Sequence, residues 1–159
     1  MLVIFDCDGV LVDSETLVSA VHVANLRRAG YAIDEAQLIE RFLGTTDRAM
    51  IATIEGELGH ALPANYLAQV KQEVRARAGA DLRAVRGAHD AVDAMTCAVC
   101  VASSSAEEEL HFKLETTGLA GIFGEEVFSA DRVEHGKPAP DIFLYAASRT
   151  GWQPDQCVV

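Results

Sequence analysis

The chain has 159 residues, 50% of them apolar, and a formal charge of −11 with an isoelectric point near 4.7. That length and apolar share support one or two compact units, each with its own core. An acidic surface of this kind repels nucleic-acid phosphates and anionic membranes, so neither is expected as a partner, and any phosphate must be held by a local cluster of donors.

Met1 to Phe5 is a short apolar run ending in Asp-Cys-Asp-Gly, which predicts a buried strand followed by a polar turn. Asp6 and Asp8 interrupt that run too early for a signal peptide, and no apolar run approaches the roughly 20 residues that span a bilayer. A soluble, cytoplasmic protein is the expectation. A mostly helical stretch follows. One helix starts after Asp13-Ser14, both good N-cap types, and stops at Gly30. A second covers Asp34 to Phe42, a third Thr46 to Leu58, and a fourth Pro63 to Ala78 before Gly79.

The pattern then changes to strands alternating with helices. His89 to Met95 predicts a short helix, Cys97 to Ala102 a strand, Ala106 to Thr117 a helix, and Glu126 to Ser129 a short strand. Asp141 to Thr150 predicts a helix closed by Gly151, and Gln156 to Val159 begins another strand. Such alternation implies right-handed crossovers and a parallel sheet. The predicted plan is α/β: a Rossmann-like parallel-sheet core from residues 1–13 and 87–159, with an all-helical domain inserted at 14–86.

Cys97-x-x-Cys100 has zinc or redox spacing, but no second pair completes a zinc site, and residues three apart on a strand face opposite ways. Cys7, Cys97, Cys100 and Cys157 are therefore expected to be reduced and structural.

In a parallel sheet, ligands collect beyond the carboxyl ends of the strands. The first strand delivers Asp6 and Asp8 to that edge, the second Ser103, Ser104 and Ser105, and the third is followed by Lys137. A carboxylate can attack phosphorus to form an aspartyl-phosphate, and a second can protonate the leaving oxygen and then deprotonate water. Gly9 permits the tight turn between these tasks, although Asp and Gly are also ordinary turn residues. Ser103, just before a helix, suits a phosphate-binding corner; simple helix capping would use the same residues. Lys137, in a loop stiffened by Pro138 and Pro140, is placed to keep Asp6 ionised and to neutralise a transferring phosphoryl group.

Asp6-Cys7-Asp8-Gly9-Val10-Leu11-Val12-Asp13-Ser14, then Val101-Ala102-Ser103-Ser104-Ser105, then Gly136-Lys137-Pro138-Ala139-Pro140-Asp141-Ile142-Phe143, together resemble the haloacid dehalogenase superfamily. The match is to its branch of small-molecule phosphatases and sugar phosphomutases with a helical cap. The resemblance implies Asp6 as nucleophile, Asp8 as acid/base, Lys137 as the motif lysine, and Ser103 with Ser104 at the phosphate. It also implies Mg2+, held by the Asp6 side chain and the Asp8 backbone carbonyl. Dehalogenases of the superfamily lack an aspartate at the place of Asp8, so its presence points to phosphate chemistry.

The family closes its magnesium site with an acidic pair just after an apolar strand. Here that strand is Cys157-Val158-Val159 and the given sequence ends with it. The expectation is a core incomplete at its C-terminal end, with little activity as it stands.

Leu43-Gly44-Thr45-Thr46-Asp47-Arg48 resembles the cap segment that reaches toward substrate, which makes Gly44, Thr45 and Arg48 candidate substrate-binding residues. Arg48 is equally well read as an exposed helix charge. Phosphomutases would carry a cation near Asp47 and a histidine near Val18, so the residues present favour hydrolysis. His22, His60, His89, His111 and His135 fall in no motif. The leading expectation is magnesium-dependent hydrolysis of a small phosphorylated metabolite such as a sugar phosphate. A sugar phosphomutase and a non-catalytic binding protein on the same fold are the alternatives.

Overall fold

The computed structural model describes residues 1–42 and 45–159. Its elements are β1 (Leu2–Phe5), α1 (Ser14–Arg28), α2 (Glu35–Phe42), α3 (Asp47–Leu58), α4 (Tyr66–Asp81), α5 (Ala88–Asp93), β2 (Ala98–Ser103), α6 (Glu107–Thr116), α7 (Ala120–Phe123), β3 (Val127–Ser129), α8 (Asp141–Thr150) and β4 (Cys157–Val158). The strands form one sheet in the order β3-β2-β1-β4. Every pairing is parallel, with Ile4 opposite Cys100, Ser103 opposite Ser129 and Val3 opposite Val158. The protein is α/β, as the strand–helix alternation predicts.

The chain divides into two compact units: residues 1–14 with 82–159, and residues 15–81. Residues after Leu82 belong with the sheet because they hydrogen-bond to the loop after β1. Asp13 N donates to Arg83 O and Val85 N to Leu11 O, each at 2.9 Å.

Cys100 to Ser103 of β2 are buried without alternation, as expected of a central parallel strand covered on both faces. On one face Leu2, Ile4, Cys100, Ala102 and Phe128 pack with Ile142 and Ala146 of α8. These two α8 residues are four apart and so share one helix face. All four cysteines are free thiols, and Cys7 and Cys100 are buried. Burial pushes the Cys7 and Cys100 thiols up to about 12, with neighbouring acids adding to it, so both are inert as nucleophiles near neutral pH.

Two elements differ from the sequence expectation. The fourth helix begins at Tyr66 and runs through Gly79 to Asp81. Gly79 is not in the left-handed conformation that stops a helix, whereas Gly151, which closes α8, has φ of 77°. An Arg77–Asp81 ion pair at 2.7 Å, one turn apart, also supports the last turn of α4. The four-residue α7 was not anticipated, because periodicity has no purchase on a single turn.

Candidate active site

The site grows from the loop after β1. Cys7 O accepts hydrogen bonds from Leu11 N and Val12 N at 2.9 Å each, folding the chain back on itself. Gly9 has φ of 74°, a left-handed conformation that a side chain would strain, and its N–H donates to Val12 O at 2.9 Å. This turn sets Asp6 and Asp8 at the carboxyl end of β1, each in its own surroundings.

Asp6 Oδ1 accepts from its neighbour Cys7 N at 2.7 Å and from Lys137 Nζ at 2.9 Å. The Asp6 side chain is 41% exposed. Among the described residues its second oxygen has no hydrogen bond or ion pair. Lys137 Nζ also donates to Ala102 O at 3.0 Å, near the end of β2, and lies 5.1 Å from the ring centroid of Phe143 on α8. Held from three sides, the ammonium has a fixed place beside the Asp6 carboxylate.

Asp8 is held differently. Its Oδ1 accepts from Ser14 Oγ at 2.6 Å and from Lys113 Nζ at 2.8 Å, and its Oδ2 from Ser105 Oγ at 2.9 Å. Lys113 also donates to Ser105 Oγ at 2.9 Å and pairs with Glu109 at 2.7 Å. Burial pushes the Asp8 carboxyl up, but the bonds from Lys113, Ser14 and Ser105 outweigh it and hold the group below its ordinary value. Lys113 is the mirror image: burial lowers it, and its bonds to Asp8 and Glu109 outweigh that and leave it raised.

Ser103 ends β2 and is fully buried, its Oγ accepting from Ser105 N at 3.1 Å. Ser104 is exposed. No side chain from this run caps α6, whose N-cap residue is Ala106. Asp131 Oδ2 takes the Glu107 N–H instead, at 2.9 Å. The first turn of α6 carries Glu107, Glu108 and Glu109, which suit the helix dipole but work against an anion there. In the unit of residues 15–81, Thr45 is exposed and bonds back to Phe42 O at 2.7 Å, and Arg48 is exposed in the first turn of α3. Gly44 lies outside the described residues.

The structure thus brings together Asp6 with Lys137, and Asp8 with Lys113, Ser105 and Ser14. Sequence reasoning missed Lys113 altogether and gave Ser14 only a capping role. One signal was present: on α6 a lysine shares the buried face of Leu110 and Leu114. Among the described residues no group of three or more His, Cys, Asp and Glu side chains is placed to hold a metal. Asp6, half-exposed with one open oxygen, is the hard donor available to a divalent cation.

A carboxylate paired with a loop lysine at the carboxyl edge of a parallel sheet, with a second acid two residues on, is the arrangement of one class of hydrolase. The family model described as haloacid dehalogenase-like hydrolase matches residues 1–159, and the chain belongs to that family. It is 27% identical over 158 residues to the 6-phosphogluconate phosphatase of Escherichia coli, covering 99% of this chain and 72% of that one. Among solved structures it is similar to a conserved haloacid dehalogenase-like protein of Agrobacterium tumefaciens, with 36% identity and a TM-score of 0.89 over 99% of this chain and 72% of that one. It is also similar to a hydrolase of the family from Deinococcus radiodurans, solved with bound phosphate and sodium. That pair has 30% identity and a TM-score of 0.85 over 99% of this chain and 70% of that one. Among the described residues no helix is long and apolar enough to cross a membrane.

Proposed function

We propose that the protein is a magnesium-dependent phosphatase that hydrolyses small phosphate monoesters, such as sugar phosphates, through an aspartyl-phosphate on Asp6. The observation that carries this reading is the 2.9 Å contact between Asp6 and Lys137 on a half-exposed rim. It pairs a nucleophile with a fixed cation where transferring charge must be met. Phosphatase activity in the Escherichia coli relative and bound phosphate in the Deinococcus structure support the same chemistry.

In the first half-reaction Asp8, which takes up a proton from solvent as the phosphate dianion enters beside it, gives that proton to the departing alkoxide while an Asp6 oxygen bonds to phosphorus and the ester P–O bond breaks. In the second, Asp8 takes a proton from water, whose oxygen attacks phosphorus and releases phosphate from Asp6. Lys137 faces the charge that spreads over the phosphoryl oxygens. Asp8 is held as a carboxylate before substrate arrives, which suits the base role. A phosphate dianion entering beside it raises its proton affinity and so prepares the acid role. Asp6 and the Asp8 backbone carbonyl would hold Mg2+, which neutralises developing phosphoryl charge when bound. The Asp8 carboxylate takes three protein donors and keeps one acceptor position on Oδ2 for the proton, so it is the backbone carbonyl that would face the metal.

The test is phosphate release by the full-length protein from a panel of phosphorylated metabolites, with magnesium and with chelator. Magnesium-dependent release, together with a beryllium fluoride adduct on Asp6, is the expected result. No release from any ester overturns the reading, and isomerisation of a hexose 1-phosphate without release replaces it with a phosphomutase.

A further inference from the structure

We propose that Lys113 is a positioning residue for Asp8, fixing the carboxylate in the orientation from which it exchanges protons; this rests on the phosphatase reading above. The side chain of Lys113 is 11% exposed and comes off the apolar face of α6. A lysine so desolvated persists only when its charge is matched. An ammonium has three protons to donate, and three partners take them: Asp8 Oδ1, Ser105 Oγ and Glu109 Oε1. Asp8 in turn receives three donors, from Ser14 on α1, Ser105 in the β2–α6 loop and Lys113 on α6. An ionised carboxylate offers about four acceptor positions, so one remains, on Oδ2, and the other contacts fix where it points. Ser105 is itself anchored at the ends of β2 and β3, because Ser129 Oγ donates to Ser105 O at 2.7 Å and Ser103 Oγ accepts from Ser105 N. Lys113 touches Asp8 and not the Asp6–Lys137 pair, so it acts on proton transfer and leaves the attack on phosphorus alone.

Proton transfer matters most when the leaving group is a poor one, and that separates this role from a structural ion pair. Single-turnover alcohol release is to be measured by rapid quench for glycerol phosphate, whose alkoxide must be protonated, and for p-nitrophenyl phosphate, whose leaving group needs little help. Lys113→Met should slow glycerol release about 10- to 100-fold and p-nitrophenol release less than about threefold, with KM within about twofold. Lys113→Arg, which keeps the charge, should fall between Lys113→Met and the parent on glycerol phosphate. If Lys113→Met loses its cooperative melting transition, Ser105→Ala carries the test and should show the same preference for damage on the alkyl ester. Equal losses on both esters, or a change confined to KM, overturns the positioning role while the phosphatase reading stands. A parent protein that releases neither alcohol overturns the phosphatase reading, and this inference with it.

Discussion

Lys137 Nζ sits 2.9 Å from Asp6 Oδ1 and 3.0 Å from Ala102 O, so one ammonium ties the end of β1 to the end of β2. The contact joins residues from opposite ends of the chain. It forms because β1 and β2 are adjacent, parallel and in register, with Phe5 opposite Val101. Sheet register therefore sets Asp6 beside the Ala102 carbonyl, and the loop before α8 brings Lys137 to both.

Asp6→Asn keeps the shape of the side chain and removes the nucleophile. Phosphate release should fall at least about a thousandfold in kcat. The melting temperature should stay within a few degrees of the parent, because the side chain is 41% exposed and its bond from Cys7 N can be kept by the amide oxygen. Near-parent turnover in this variant would remove Asp6 from the reaction.

Lys137→Ala should lower kcat by about 100- to 1000-fold with a small change in KM, because the charge it meets develops most in the transition state. A rise in KM with kcat unchanged would instead mark Lys137 as a uniform binder of phosphate. Steady-state kinetics on one good ester separates the two outcomes.

The Asp6–Lys137 half of the site was legible in the sequence because strand ends in a parallel sheet share an edge and both residues belong to recognisable loops. The Asp8–Lys113 half was not. Lys113 lies on a helix rich in charge, and sequence alone does not say which helical charges face inward. Its place beside Leu114 and three residues after Leu110 was the one available clue. Helix ends were read well where glycine takes a left-handed conformation, as at Gly151, and misread at Gly79, where an ion pair lets the helix run on. The direction of the strands followed from their alternation with helices, but the order β3-β2-β1-β4 depends on contacts between distant segments that no local pattern records.

Ile142→Ala should destabilise the sheet unit by about 2–5 kcal/mol, the usual range for removing a buried branched side chain and leaving a cavity. Ile142 is 0% exposed and packs in the cluster with Leu2 and Ile4. Leu144→Ala, two residues along the same helix and 47% exposed, should cost no more than about 0.5 kcal/mol. Urea unfolding of the two variants side by side measures the contrast. Equal costs would mean that α8 does not cover the sheet with the face described.

His22 provides a test of the helical unit by pH. It is buried on α1, and its Nδ1 lies 2.9 Å from the hydroxyl of Tyr66 on α4. Burial lowers its proton affinity below the ordinary value of 6.5, and the charge of Asp47 opposes that only in part. In the unfolded chain the imidazole titrates normally, at about 6.5. As pH falls through that value the unfolded state gains a proton that the folded state refuses, so stability drops. The loss levels off below the folded value, where both states are protonated. The depressed carboxyl of Asp8 produces its own loss in a separate and lower window, because its stabilising bonds fail only as the carboxylate range is crossed. His22→Gln removes the titration while keeping a group able to bond Tyr66. Its stability relative to the parent should therefore rise as pH is lowered from 7.5 through about 6.5 and level off once the folded value is passed. Chemical denaturation at half-unit pH steps gives the difference curve directly, and a flat curve across that range would show that the ring does not titrate in the way its burial requires.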